Sequence, residues 1–164
     1  MPPAARITDQ TIHPLPGKLV PGPGCPTVLI GKLPAWRGVG AAAAAALTAA
    51  NKVATTSIQV AEAATKAAAP TPGGPAALAA EQTLKGSLLA SMSSMVTSMA
   101  AGADIHMCAT PTPVPPHGPG VVTTPSKTVM IGNLPAARQG DTIIEAIGPP
   151  NTIAMGETTV MIGG

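Results

Sequence analysis

One short phrase occurs three times in this chain: Pro-Thr-Val-Leu-Ile-Gly at 26–31, Lys-Thr-Val-Met-Ile-Gly at 127–132 and Thr-Thr-Val-Met-Ile-Gly at 158–163. Each copy reads as a short strand with alternating faces. Val28, Val129 and Val160 share one side with Ile30, Ile131 and Ile162, while Leu29, Met130 and Met161 take the other. The glycine that follows permits a sharp exit. Leu-Pro-Ala-(Trp or Ala)-Arg then follows the first two copies, at 33–37 and 134–138. The repetition predicts a small three-sided β-object in which every side gives the same Val/Ile pair to one core.

Such an object is short of material to bury. The 164 residues include 20 Pro and 18 Gly but no Phe, no Tyr and a single Trp, Trp36, so the core must be aliphatic. A Pro/Gly-rich β-region of this size is expected to need a staple. The net charge of +2 is small and the Lys and Arg residues are scattered, which argues against nucleic acid as a partner. Met1-Pro2-Pro3-Ala4-Ala5-Arg6 lacks the apolar run of a secretory signal, so any export is expected to use another route.

The chain divides into a discontinuous β-unit, 1–40 and 104–164, and an alanine-rich insert, 41–103. Helices are expected over about Ala41–Ala69 and Ala76–Ala101, reversed by Pro70-Thr71-Pro72-Gly73-Gly74-Pro75. Glu62/Lys66 and Glu81/Lys85 stand four apart in the favourable order. Leu88, Met92, Met95, Val96 and Met99 form a stripe at helical spacing, read as the seam of a helical hairpin. Residues 86–103 carry no charge and are long enough to enter a bilayer, yet Ser87, Ser91, Ser93, Ser94, Thr97 and Ser98 interrupt them; a soluble hairpin is the favoured reading.

Metal chemistry is confined to few residues. His13, His106, Cys108 and His117 include every histidine, and three imidazoles with one thiolate suit tetrahedral zinc. His106 and Cys108 can share one face of a strand. The alternative is that these are exposed loop histidines and a buried cysteine. Cys25 reads as a small turn residue, although a Cys25–Cys108 disulfide would be open to it in an oxidising compartment. Asp9, Asp104, Asp141, Glu145 and Glu157 are scattered and read as solvated surface or turn residues. With the histidines committed to a closed site, no general base of that type remains, and the chain is expected not to be an enzyme. The rivals are a zinc-dependent toxin with an open coordination position and a membrane-active effector working through its helices.

The two longer repeats, with Pro135-Ala136-Ala137-Arg138 inside the second, resemble the PAAR proteins that tip contractile injection machines such as the type VI secretion system. Ala4-Ala5-Arg6-x-x-Asp9-x-x-x-His13 is similar to the motif called prePAAR. The resemblance covers about 1–40 and 104–164. It implies a β-pyramid holding one structural zinc through three histidines and one cysteine, here His13, His106, Cys108 and His117. It also implies that one chain caps a trimeric spike of the VgrG type, sharpening it for membrane piercing and effector delivery outside the producing cell. The insert would then contact an effector, a chaperone or a membrane. Two departures stand out: Gly38-Val39-Gly40 follows Arg37 where Gly-Asp is expected, and no Pro-Ala-Ala-Arg follows the third copy, so no toxin domain is expected beyond Gly164.

Overall fold

The computed structural model describes residues 1–12, 17–108 and 117–164. In chain order it contains strands Pro3–Ala4 (β1), Gln10–Ile12 (β2), Gly17–Lys18 (β3), Cys25–Ile30 (β4) and Leu33–Ala35 (β5). Helices Ala41–Ala68 (α1) and Gly74–Ala100 (α2) come next. Strands His106–Cys108 (β6), Gly118–Val122 (β7), Met130–Ile131 (β8), Leu134–Pro135 (β9), Thr142–Glu145 (β10), Asn151–Ile153 (β11) and Glu157–Met161 (β12) complete it.

The three phrases build three equivalent sides. β4 pairs with β5 and β8 with β9. The two-residue loops Gly31-Lys32 and Gly132-Asn133 both have positive φ at each position, the backbone of a type I′ turn, whose twist matches that of the strands it joins. The third side has another construction. β12 pairs with β1, so the amino-terminal Pro3-Ala4-Ala5-Arg6 gives this side the segment that 34–37 and 135–138 give the other two.

The sides are locked to one another by a closed cycle of backbone hydrogen bonds: Ala5 N–H to Ala137 C=O, Ala137 N–H to Trp36 C=O, and Trp36 N–H to Ala5 C=O, at 2.9, 3.0 and 2.9 Å. Above this ring each chain segment turns around an Arg–Asp pair and enters another hairpin. Those hairpins form a sheet in the order β3-β2-β11-β10-β7-β6, and Met107 N–H donates to Val20 C=O at 2.7 Å to bring its two edges together.

The core is layered. Ile30, Ile131 and Ile162 pack with Ala4, Ala35, Ala136 and Cys25 in one layer; Ala5, Trp36 and Ala137 pack with Leu19, Val122, Ile143 and Ile153 in the next. The isoleucines of the expected Val/Ile pairs are therefore buried, but the valines are not equivalent. Val28 and Val129 are half-buried against the first layer, whereas Val160 is exposed.

The helices lie against one flank. Leu47 and Ala44 of α1 and Val96 and Ala100 of α2 pack with Val39 and Val121, and Ala54 and Met92 pack with Ala146. The Met/Val stripe thus faces the β-body as well as α1. Lys85 bridges Glu81 at 2.6 Å and Glu62 at 2.7 Å, so Glu62 pairs across the hairpin. Among the described residues no helix is long and apolar enough to cross a membrane.

Candidate metal centre

Of the carboxylates read as solvated, Asp9, Asp104, Asp141 and Glu145 are buried, and Glu157 is half-buried and paired. Arg6, Arg37 and Arg138 each donate a backbone N–H to an aspartate, Asp9, Asp104 and Asp141, at 2.8, 2.8 and 2.7 Å, and each adds guanidinium contacts to the same carboxylate. Asp104 fills the place left open after Arg37, from beyond the insert. Glu157 pairs with Arg6 and accepts from Thr159. Burial pushes the Asp141 carboxyl up, against the pull of Arg138.

Beyond these pairs lie the side chains that could hold a metal. On β6, His106 and Cys108 are buried while Met107 between them is exposed, as a strand's alternation requires. β7 lies between β6 and β10, and its Gly120 is the register partner of both His106 and Glu145. The missing side chain matters, because a Cβ on Gly120 would come within 2.8 Å of Glu145 Cγ. Glu145 is fully buried. Its Oε1 lies 3.3 Å from His106 Nε2 and its Oε2 lies 2.9 Å from His117 Nδ1.

Cys108, His117 and Glu145 bring a sulfur, a nitrogen and an oxygen within 4.8 Å of one another. The His106 ring stands beside them. Both of its nitrogens are buried and, among the described residues, neither has a partner in hydrogen-bonding geometry, despite the close approach to Glu145. A buried imidazole without such a partner, next to a thiol, a second imidazole and a carboxylate, fits a divalent ion of the zinc type. His13 lies outside the described residues. Gly17 on β3 comes near the His106 ring: its Cβ, were there one, would be 3.9 Å from His106 Cε1.

Cys25 is elsewhere. It opens β4 in the first core layer, shares a hydrogen bond with Thr27 Oγ1 at 3.3 Å, and that bond draws its thiol pKa down. No disulfide joins Cys25 to Cys108.

The insert reaches this centre. Asn51, buried on α1, donates Nδ2 to the carbonyls of Glu145 and Gly148 at 3.0 and 3.3 Å. Leu89 and Ser93 of α2 crowd Gly118, where a Cβ would lie 2.9 and 3.1 Å from them.

The family model of the PAAR motif matches residues 112–164. This last third of the chain is therefore similar to PAAR-repeat proteins. The match takes in His117, Glu145, the β8–β9 side and strand β12 of the third side, and leaves β1, the insert, His106 and Cys108 outside it. Comparison with curated proteins gives no match.

Glu145 is the residue that sequence reasoning missed among those at the centre. The signal was present: it stands four residues after Asp141, as Cys108 does after Asp104 and His13 after Asp9. The spacing gains meaning only once the three aspartates are seen to hold equivalent places in the fold.

Proposed function

We propose that the chain is a metal-stabilised spike tip that caps a trimeric, VgrG-like spike of a contractile injection machine. The observation that carries this reading is the closed Ala5–Trp36–Ala137 hydrogen-bond cycle, which makes one polypeptide into a body of threefold character. The PAAR match supports the spike-tip role. A body of this kind can close the end of a trimer and cover strand edges that would otherwise pair with other chains.

Zinc is the ion proposed, held by Cys108 and His117 with His106 and His13, and bound there it would tie the hairpins together where apolar burial is scarce. Leu29, Met130 and Met161, one from each side, are exposed and flank the core layer separated from the metal centre by the second layer. They offer the partner three similar apolar contacts. The role is mechanical rather than catalytic. Assembly on the spike would precede delivery beyond the producing cell.

Co-purification with a trimeric spike and metal analysis test the reading together. One chain and one zinc per trimer are expected, and His106→Ala should lower metal content and stability in parallel. A well-folded, metal-free chain that ignores the trimer would overturn it.

A further inference from the structure

The geometry points to Glu145 as a direct ligand of the metal, making the centre a mixed sulfur, nitrogen and carboxylate site. This rests on the metal reading above and specifies its donor set.

The first support is position. The strands β2, β6 and β10 follow Asp9, Asp104 and Asp141, each held by the backbone N–H of its own arginine. Counting four residues from these anchors gives His13, Cys108 and Glu145. At one sequence distance from these equivalent anchors stand an imidazole, a thiol and a carboxyl group, and the latter two lie on strands β6 and β10. Two of those residues have the ligand types expected of the site. Glu145 is the third member of the set.

The second is convergence. A ligand oxygen of Glu145 lies within 4.8 Å of the donors on both Cys108 and His117, and no residue in the group is exposed. Each carboxylate oxygen faces a different imidazole, at 3.3 Å from His106 Nε2 and 2.9 Å from His117 Nδ1. Gly120 clears the space between, and Asn51 fixes the Glu145 backbone.

The third is charge. A dication bound by one thiolate and neutral imidazoles leaves a net positive charge in a buried place, and an unbalanced buried charge is costly. The carboxylate of Glu145 brings the sum to zero. A buried glutamate with no share in the ion would lack that reason for lying where it does, and a ligand set of charge −2 is balanced by a divalent ion and not by a monovalent one.

Cobalt(II) titration of the full chain tests this, since the colour of cobalt reports its donors. Wild type should show the Cys108 thiolate charge-transfer band together with d–d bands. In Glu145→Gln the charge-transfer band should persist, the d–d bands should shift, and the affinity should fall at least about tenfold, the smallest loss typical of a disturbed metal shell. Trp36 fluorescence reports whether the variant is folded. Should it not fold, cadmium-113 NMR of the wild type decides, because an oxygen donor shields the nucleus relative to nitrogen. Unchanged cobalt bands in Glu145→Gln, or a cadmium shift that fits sulfur and nitrogen donors alone, would overturn the inference and leave the metal reading standing. A wild-type chain that takes up neither metal sinks both.

Discussion

Arg37 holds Asp104 across the whole length of the insert: its backbone N–H and Nε both donate to Asp104 Oδ2, and Nη2 donates to Oδ1 at 2.9 Å. Arg6 with Asp9 and Arg138 with Asp141 make the same arrangement within a span of three residues. The helices therefore enter the protein inside one of three equivalent Arg–Asp turns without altering the turn. Asp104 side-chain exposure is 1%, so little water screens the pair. Asp104→Ala would leave the Arg37 guanidinium without its buried partner, a loss that typically costs about 3–5 kcal/mol. Urea unfolding followed by Trp36 fluorescence should show it, and a change below about 0.5 kcal/mol, the scale of an ordinary surface substitution, would contradict the assignment.

Asn51 links the insert to the candidate metal centre. Asn51→Ala removes both donors to the Glu145 and Gly148 carbonyls, and buried acceptors left unsatisfied cost about 1–3 kcal/mol. Amide hydrogen exchange should quicken in β10 and β11 and in the loop joining them, while β4 and β5 keep their protection. A uniform change across the β-body would mean that Asn51 supports the fold in general and not this hairpin.

The sequence made the three-sided plan legible because the sides are copies: strand, type I′ turn and Pro-Ala-Ala-Arg-like exit recur within short windows. The long insert was legible from alanine and from the proline and glycine that reverse it. What escaped was everything set by closure. Nothing in a linear reading joins Arg37 to Asp104, or supplies the third side from residues 3–6. The two-residue strand β1 owes its form to β12, a partner at the far end of the sequence, so local propensity could not find it. Glu145 was overlooked for the same reason. A lone carboxylate reads as surface until the fold places two imidazoles beside it.

The amino- and carboxy-terminal strands should loosen on acidification. Glu157 pairs with Arg6 across the β12–β1 side, and hydrogen bonds from Thr159, followed by the charge of Arg6, hold its carboxyl below the ordinary glutamate range. A carboxyl depressed in the folded state contributes stability above its unfolded pKa, and that contribution fades as pH falls through the folded value. Asp141 acts oppositely: burial raises its pKa, so its cost is full above the raised value and absent below the unfolded one. The wild-type slope mixes the two effects; the difference between wild type and Glu157→Gln isolates one. That difference in melting temperature should be largest near neutral pH and vanish in acid, and a pH-independent gap would show that the glutamate acts through shape alone.

The exposed ring of Leu29, Met130 and Met161 separates a threefold partner from any other kind. A trimer presents three equal surfaces, so single substitutions Leu29→Glu, Met130→Glu and Met161→Glu should weaken binding to the isolated spike by similar factors. If each side chain is an anchor at the interface, the loss is about 2 kcal/mol, or roughly thirtyfold in Kd. The residues are 60%, 55% and 47% exposed, so the melting temperature of the free chain should change little. Equal losses in the three variants would support end-on capping along the pseudo-threefold axis. One sensitive position beside two indifferent ones would mean that the partner touches a single side, and the capping geometry would have to be abandoned.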